Sequence, residues 1–154
     1  MLSHLDHKGD AQIVDISNKN VSNRVAVAYG KIHISEELIN QINKKNNKKG
    51  DIFTVAKVAG IMASKKTSDI IPLCHSLNLE DIQIQINLDR KNKFIEVFST
   101  VKCSEKTGVE MEALTSVSVA LLTIYDMCKA VDKKMIISDI HLKKKEGGRT
   151  NIKS

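Results

Sequence analysis

A thiol and an imidazole stand side by side at Cys74 and His75, just beyond Pro72, the only proline in the chain. A structural zinc site needs three or four ligands at usable spacing. Cys103 and Cys128 offer no C-x-x-C partner for Cys74, so no metal is expected. Adjacent residues seldom turn their side chains toward each other, which argues against a Cys–His nucleophile pair. Cys74 by itself reads as a small buried residue. His75 follows a turn that Pro72 forces, and a loop in that position can present a side chain to a cleft.

Three further groupings carry charge at suggestive spacing. In "GVEMEALT", Glu110 and Glu112 share a face if the backbone is extended and diverge by about 200° if it is helical. Glutamates at a helix start are also favoured by the helix dipole without any further role. In "TIYDMCKAV", Asp126 and Lys129 are three apart on a helix and therefore neighbours. A surface ion pair explains them, yet the preceding "VSVALLTIY" is apolar nearly all round. Charges in such a setting are paired or functional, and a carboxylate beside an ammonium suits proton transfer near anions. Lys48 and Lys49 precede Gly50-Asp51, where ammonium groups at a helix start favour phosphate. The spacing G-x-x-x-x-G-K-[ST] is absent, so this is not a P-loop. Lys145, within "HLKKKEGGRT", and Arg24, at a strand start, are further cations with no assignment from pattern alone.

Those groups must be held by elements legible in the hydrophobic periodicity. "RVAVAYGKIHI" alternates as a strand, and Ser35 with Glu36 and Glu37 starts a short helix through about Ile42. Asp51 caps a second helix, on which Val55, Ala59 and Met62 fall on one side. "EDIQIQINL" places Ile82, Ile84, Ile86 and Leu88 on one face of a strand. "DRKNK" then turns the chain into the partner strand "FIEVFSTVKC". A long helix from about Glu112 to Val131 carries Leu114, Val117, Leu121, Ile124 and Cys128 as a stripe. A last strand, "MIISDIHL", leads into a basic tail. The order β-α-α-β-β-α-β predicts an α+β fold, a ferredoxin-like split β-α-β with an antiparallel sheet and one added helix. A single domain over 1–154 is expected, with 1–10 and 146–154 flexible.

The 154 residues suffice for one core, and the net charge of +6 favours anionic partners. Three cysteines at unrelated spacings give no disulfide framework and suggest a reducing compartment. No secretory h-region is evident and no run reaches the ~20 apolar residues of a membrane span, so a cytoplasmic protein is expected.

Nearly the whole chain resembles the cyclic pyranopterin monophosphate synthase family, MoaC, of molybdenum cofactor biosynthesis. The resemblance is carried by "IVDIS" with Arg24 after it, by "KGDIFTVAKVAGIMASKKTSDIIPLCH", by "KTGVEMEALTSVSVALLTIYDMCKAV" and by a terminal Gly-Gly-basic segment. Ser76 stands where the family usually has a second proline, and "GGRTN" differs from its Gly-Gly-Lys form. The resemblance implies conversion of 3′,8-cyclo-7,8-dihydroguanosine 5′-triphosphate, made by a radical enzyme, to cyclic pyranopterin monophosphate with release of pyrophosphate and no redox cofactor. It also implies Asp126, Lys129 and Lys49 as catalytic residues. Substrate contacts would come from Leu73, Cys74, His75, Met111 and Glu112, with Glu110 and Arg24 nearby. Lys49, Lys129, Arg24 and Lys145 are the cations suited to offset charge on the phosphates. A homohexamer, a trimer of dimers, is implied as well. Along one helix Glu112 and Lys129 are about 25 Å apart, so either they serve different sites or one pocket draws on two subunits, and the implied hexamer favours the shared pocket.

The competing expectation is a basic ferredoxin-like RNA-binding module. Its sheet should carry stacking aromatics in an RNP-type strand. Phe94 and Phe98 are present, but the Lys/Arg-Gly-Phe-Gly-Phe pattern is not.

Overall fold

Alternating small and branched residues make β1 (Ser22–His33) the centre of the sheet. The computed structural model of the chain describes residues 3–42, 51–148 and 150–153. After β1 come α1 (Glu36–Ile42), α2 (Ile52–Lys65), the one-turn α3 (Thr67–Ile70), β2 (Asp81–Asp89) and β3 (Phe94–Glu105). The chain closes with α4 (Glu110–Cys128), β4 (Ile136–Glu146) and the short β5 (Ile152–Lys153). Strand order is β2-β3-β1-β4-β5, with every adjacent pair antiparallel. Without β5 this is the strand arrangement of a ferredoxin-like split β-α-β, as the element order predicts.

One face of the sheet is covered by α4 and α2. Ala28 and Ile32 of β1, Ile95, Val97 and Val101 of β3, and Val117, Leu121 and Ile124 of α4 are all removed from solvent. Hydrophobic burial of this stripe is what fixes the helix on the sheet. By length and composition α4 is apolar enough to cross a bilayer, but here it is the core helix. It meets α2 where Gly60 lies against Ser116. A Cβ at position 60 would stand 3.0 Å from the Ser116 carbonyl oxygen and 2.5 Å from Ile84 Cδ1, so any side chain there forces α4 or Ile84 to shift.

Several local expectations hold. The Ser35 hydroxyl accepts from the Leu38 amide at 3.3 Å, and the Asp51 carboxylate accepts from the Phe53 amide at 3.0 Å. Three differ. First, α4 begins at Glu110 and ends at Cys128, whose carbonyl receives the Val131 and Asp132 amides and closes the helix. Second, the buried side of α2 is Ile52, Ala56, Gly60 and Ala63, while Val55 and Met62 are exposed. A helix of mixed apolar faces offers two stripes, and the contact with α4 selects the one with small residues. Third, the basic stretch after Leu142 is strand rather than tail: Lys144, Lys145 and Glu146 pair with Val27, Ala26 and Val25. Backbone pairing to a central strand tolerates lysines whose side chains leave the sheet plane.

Candidate active site

Two adjoining depressions lie where α4 starts. The smaller, about 120 Å³, is walled by Leu73, Cys74 and His75 from the turn after α3, and by Met111 and Glu112 from α4. The larger, about 550 Å³, takes Arg24 from β1, Lys106 from the β3–α4 loop and Lys145 from β4. Thr107, Gly108 and Glu110 border both, so the two form one continuous site.

Local sequence explains how each wall is placed. Pro72 follows α3 and holds Ile71 extended (φ −100°, ψ 107°), which turns Leu73–His75 back toward the start of α4. The N-cap of α4 is Val109, which offers no side-chain acceptor to the first-turn amides. That end of α4 therefore keeps its positive potential, and Glu110 and Glu112 sit in it. At the far side, Gly147 has φ +88°, and a Cβ there would overlap the Asn23 carbonyl. Glycine thus lets the end of β4 fold against β1, beside Arg24.

The charged groups are braced rather than loose. Arg24 donates from Nε to the Glu105 carbonyl and from its terminal nitrogen to the Lys106 carbonyl, both at 3.3 Å. Lys145 Nζ pairs with Glu110 Oε1. Lys106 Nζ donates to the Ser17 carbonyl at 2.8 Å, and His75 Nε2 lies 2.8 Å from the Val14 carbonyl. Glu112 is 4% exposed, and burial, followed by the charge of Glu110, pushes its carboxyl up to about 7. Burial and the neighbouring Glu112 also raise the Cys74 thiol, which therefore stays protonated and is no nucleophile at neutral pH. The arrangement combines cations for an anionic, phosphate-bearing molecule with a carboxyl poised to give or take a proton near pH 7.

Eight of the residues singled out from sequence converge here: Leu73, Cys74, His75, Glu110, Met111, Glu112, Arg24 and Lys145. Glu110 and Glu112 do so although both lie on a helix, because Glu110 borders both depressions and Glu112 the smaller one. Asp126 and Lys129 are elsewhere. They close α4 at its opposite end, about 25 Å away by helix rise, and pair with each other at 2.7 Å. Their side chains are 72% and 59% exposed in the single chain, and Leu122 one turn earlier is exposed too. The helix is thus not covered all round by its own domain. Lys49 lies in 43–50, outside the described residues. Among the described residues no cluster of three or more His, Cys, Asp or Glu is placed to hold a metal ion.

Sequence reasoning missed Lys106 and the segment 14–20. Lys106 opens "KTGVEMEALT", four residues before Glu110, and Gly108 between them signals a loop. Val14 and Ser17 fall in "IVDIS", which the resemblance singled out, but what their carbonyls touch lies more than 60 residues away and leaves no periodic trace. Lys19, which lines the larger depression, had no signal.

On the face of the sheet away from the helices, Tyr29 and Phe98 pack on each other with ring centroids 4.9 Å apart, and the Lys143 ammonium lies 5.6 Å over Tyr29. These rings are engaged with neighbours instead of forming the open stacking strand an RNA-binding module requires.

Comparison with known proteins gives the same direction. The MoaC family matches residues 13–148. A cyclic pyranopterin monophosphate synthase of Clostridium perfringens is 52% identical over 149 residues, 97% of this chain and 94% of that protein. One from Heliobacterium modesticaldum is 50% identical with the same coverage. The molybdenum cofactor biosynthesis protein moc-5 of Caenorhabditis elegans is 47% identical over 97% of this chain, which corresponds to 25% of that longer protein.

Proposed function

Because the chain belongs to the MoaC family and is an enzyme of molybdenum cofactor biosynthesis acting on a small nucleotide-derived substrate, we propose how its two joined depressions make cyclic pyranopterin monophosphate. The substrate is 3′,8-cyclo-7,8-dihydroguanosine 5′-triphosphate, supplied in the cytoplasm by a radical enzyme. Its polyphosphate lies among Arg24, Lys106 and Lys145, and its ring system lies against Leu73–His75 and Met111–Glu112. The observation that carries this reading is the continuity of a cation-lined depression with one that holds a buried, near-neutral carboxyl.

The chemistry asks for protons to move on and off ring nitrogen and oxygen while the skeleton rearranges. It then asks for a cyclic phosphate to close as pyrophosphate leaves. Glu112 and His75 flank the ring end, and a carboxyl near 7 is the efficient choice for transfer in both directions. Arg24, Lys106 and Lys145 offset charge on the phosphates and on the departing pyrophosphate. Asp126, Lys129 and Lys49 are the remaining catalytic groups. Since Asp126 and Lys129 lie a helix length from Glu112, they reach the substrate from a neighbouring subunit of a homohexamer, a trimer of dimers. The uncovered apolar residues Val55, Val58 and Met62 on α2 and Leu122 on α4 supply surface for such packing.

The decisive test is incubation with the cyclised nucleotide and identification of the product by mass. Wild type yields cyclic pyranopterin monophosphate and pyrophosphate, and Asp126→Asn or Lys49→Ala yields neither while assembly persists. Mixing inactive Glu112→Ala and Lys129→Ala subunits restores part of the activity. Recovery that stays at zero despite proven subunit exchange removes the shared site.

A further inference from the structure

The motif "IVDIS" has no part in the chemistry above, yet its backbone touches two residues of the site. The Val14 carbonyl lies 2.8 Å from His75 Nε2, and three residues later the Ser17 carbonyl accepts from Lys106 Nζ at 2.8 Å. Between them Asp15 folds the chain: its Oδ1 accepts the Ser17 amide at 2.8 Å, and the Lys19 amide closes on the Ile16 carbonyl at 3.1 Å. Asp15 is exposed and Val14 half-buried, so this segment contributes little to the core.

We propose that Val14–Ser17, turned by Asp15, is a positioning clamp that fixes the tautomer of His75 and the direction of Lys106. This rests on the reading that His75 and Lys106 border the substrate. A carbonyl is only an acceptor, so Nε2 must carry the proton in the neutral ring, and the lone pair is left on Nδ1. The ring thereby meets substrate with one defined nitrogen. Lys106 is meanwhile held by a neutral acceptor, which a phosphate oxygen outcompetes because the charged bond is the stronger. Asp15 is a positioning residue: its carboxylate contacts Ser17 and acts on the site only through the backbone. Its pKa is lowered, first by the Ser17 amide and then by the Ser17 hydroxyl, so it is ionised and able to hold the turn at neutral pH.

The experiment uses full-length protein labelled with nitrogen-15 at histidine, and compares wild type, Asp15→Ala and Asp15→Asn. In wild type the His75 ring shifts report a single Nε2–H tautomer. Asp15→Ala gives a mixture of tautomers and a three- to tenfold loss of kcat/KM, about the weight of one hydrogen bond. Asp15→Asn keeps an Oδ1 acceptor and restores both readouts. A His75 ring that keeps one tautomer in Asp15→Ala, or Asp15→Asn behaving like Asp15→Ala, overturns the clamp. The ring shifts do not depend on turnover. Full activity of His75→Ala would therefore end the reading of the site while the tautomer measurement still judged the clamp.

Discussion

Exchanging Glu112 for glutamine should make stability less dependent on pH. The carboxyl has an ordinary pKa of 4.5 and is raised to about 7 by burial and then by Glu110. Between those values the folded chain binds more protons than the unfolded chain, so stability falls as pH rises. Below 4.5 the carboxyl is neutral in both states and carries no penalty. Above 7 it is ionised in both, and the folded state bears the full cost of a buried carboxylate, about 3 kcal/mol. Glutamine at 112 never ionises, so Glu112→Gln gains on wild type across this window and levels off above it. Urea unfolding of both proteins at one fixed concentration, from about pH 5 to about pH 8.5, reads most of that span as a widening gap. Carbon-13 titration of the Glu112 carboxyl should give a midpoint near 7. A gap that stays constant with pH, or a midpoint in the ordinary carboxylate range, would show that the site solvates Glu112 and refute the burial argument.

Two further outcomes follow from packing. Gly60→Ala drives a methyl group toward the Ser116 carbonyl and Ile84, and should cost about 1–3 kcal/mol. Thermal unfolding would detect it, and an unchanged midpoint would mean that α2 shifts off α4 without cost. Leu122→Glu adds a charge to the exposed face of α4 that also carries Asp126. Light scattering should find species smaller than wild type with an intact circular dichroism spectrum; an undiminished assembly would place that face outside the subunit contact of the proposed hexamer.

Much of this protein is written locally. Period-two alternation in Ile82–Leu88 and the stripe from Val117 to Cys128 each demand one buried face, so strand and helix follow from the residues themselves. Ser35, Asp51 and Pro72 punctuate the chain by hydrogen bonding and steric exclusion, which act over a few residues and are therefore legible. The chemistry of His75, Glu110 and Glu112 could likewise be suspected from type and spacing.

What the sequence left open was decided by contacts between distant segments. Which stripe of α2 turns inward depends on the close approach of Gly60 to Ser116, a property of two helices. That Lys144 and Lys145 belong to a strand depends on the unpaired edge β1 offers them. The near-neutral carboxyl of Glu112 and the bracing of Arg24, His75 and Lys106 arise only once α4, β1 and the segment before β1 surround one space. Periodicity reports which face a residue prefers; burial and desolvation depend on what finally covers that face, and only the folded chain determines it.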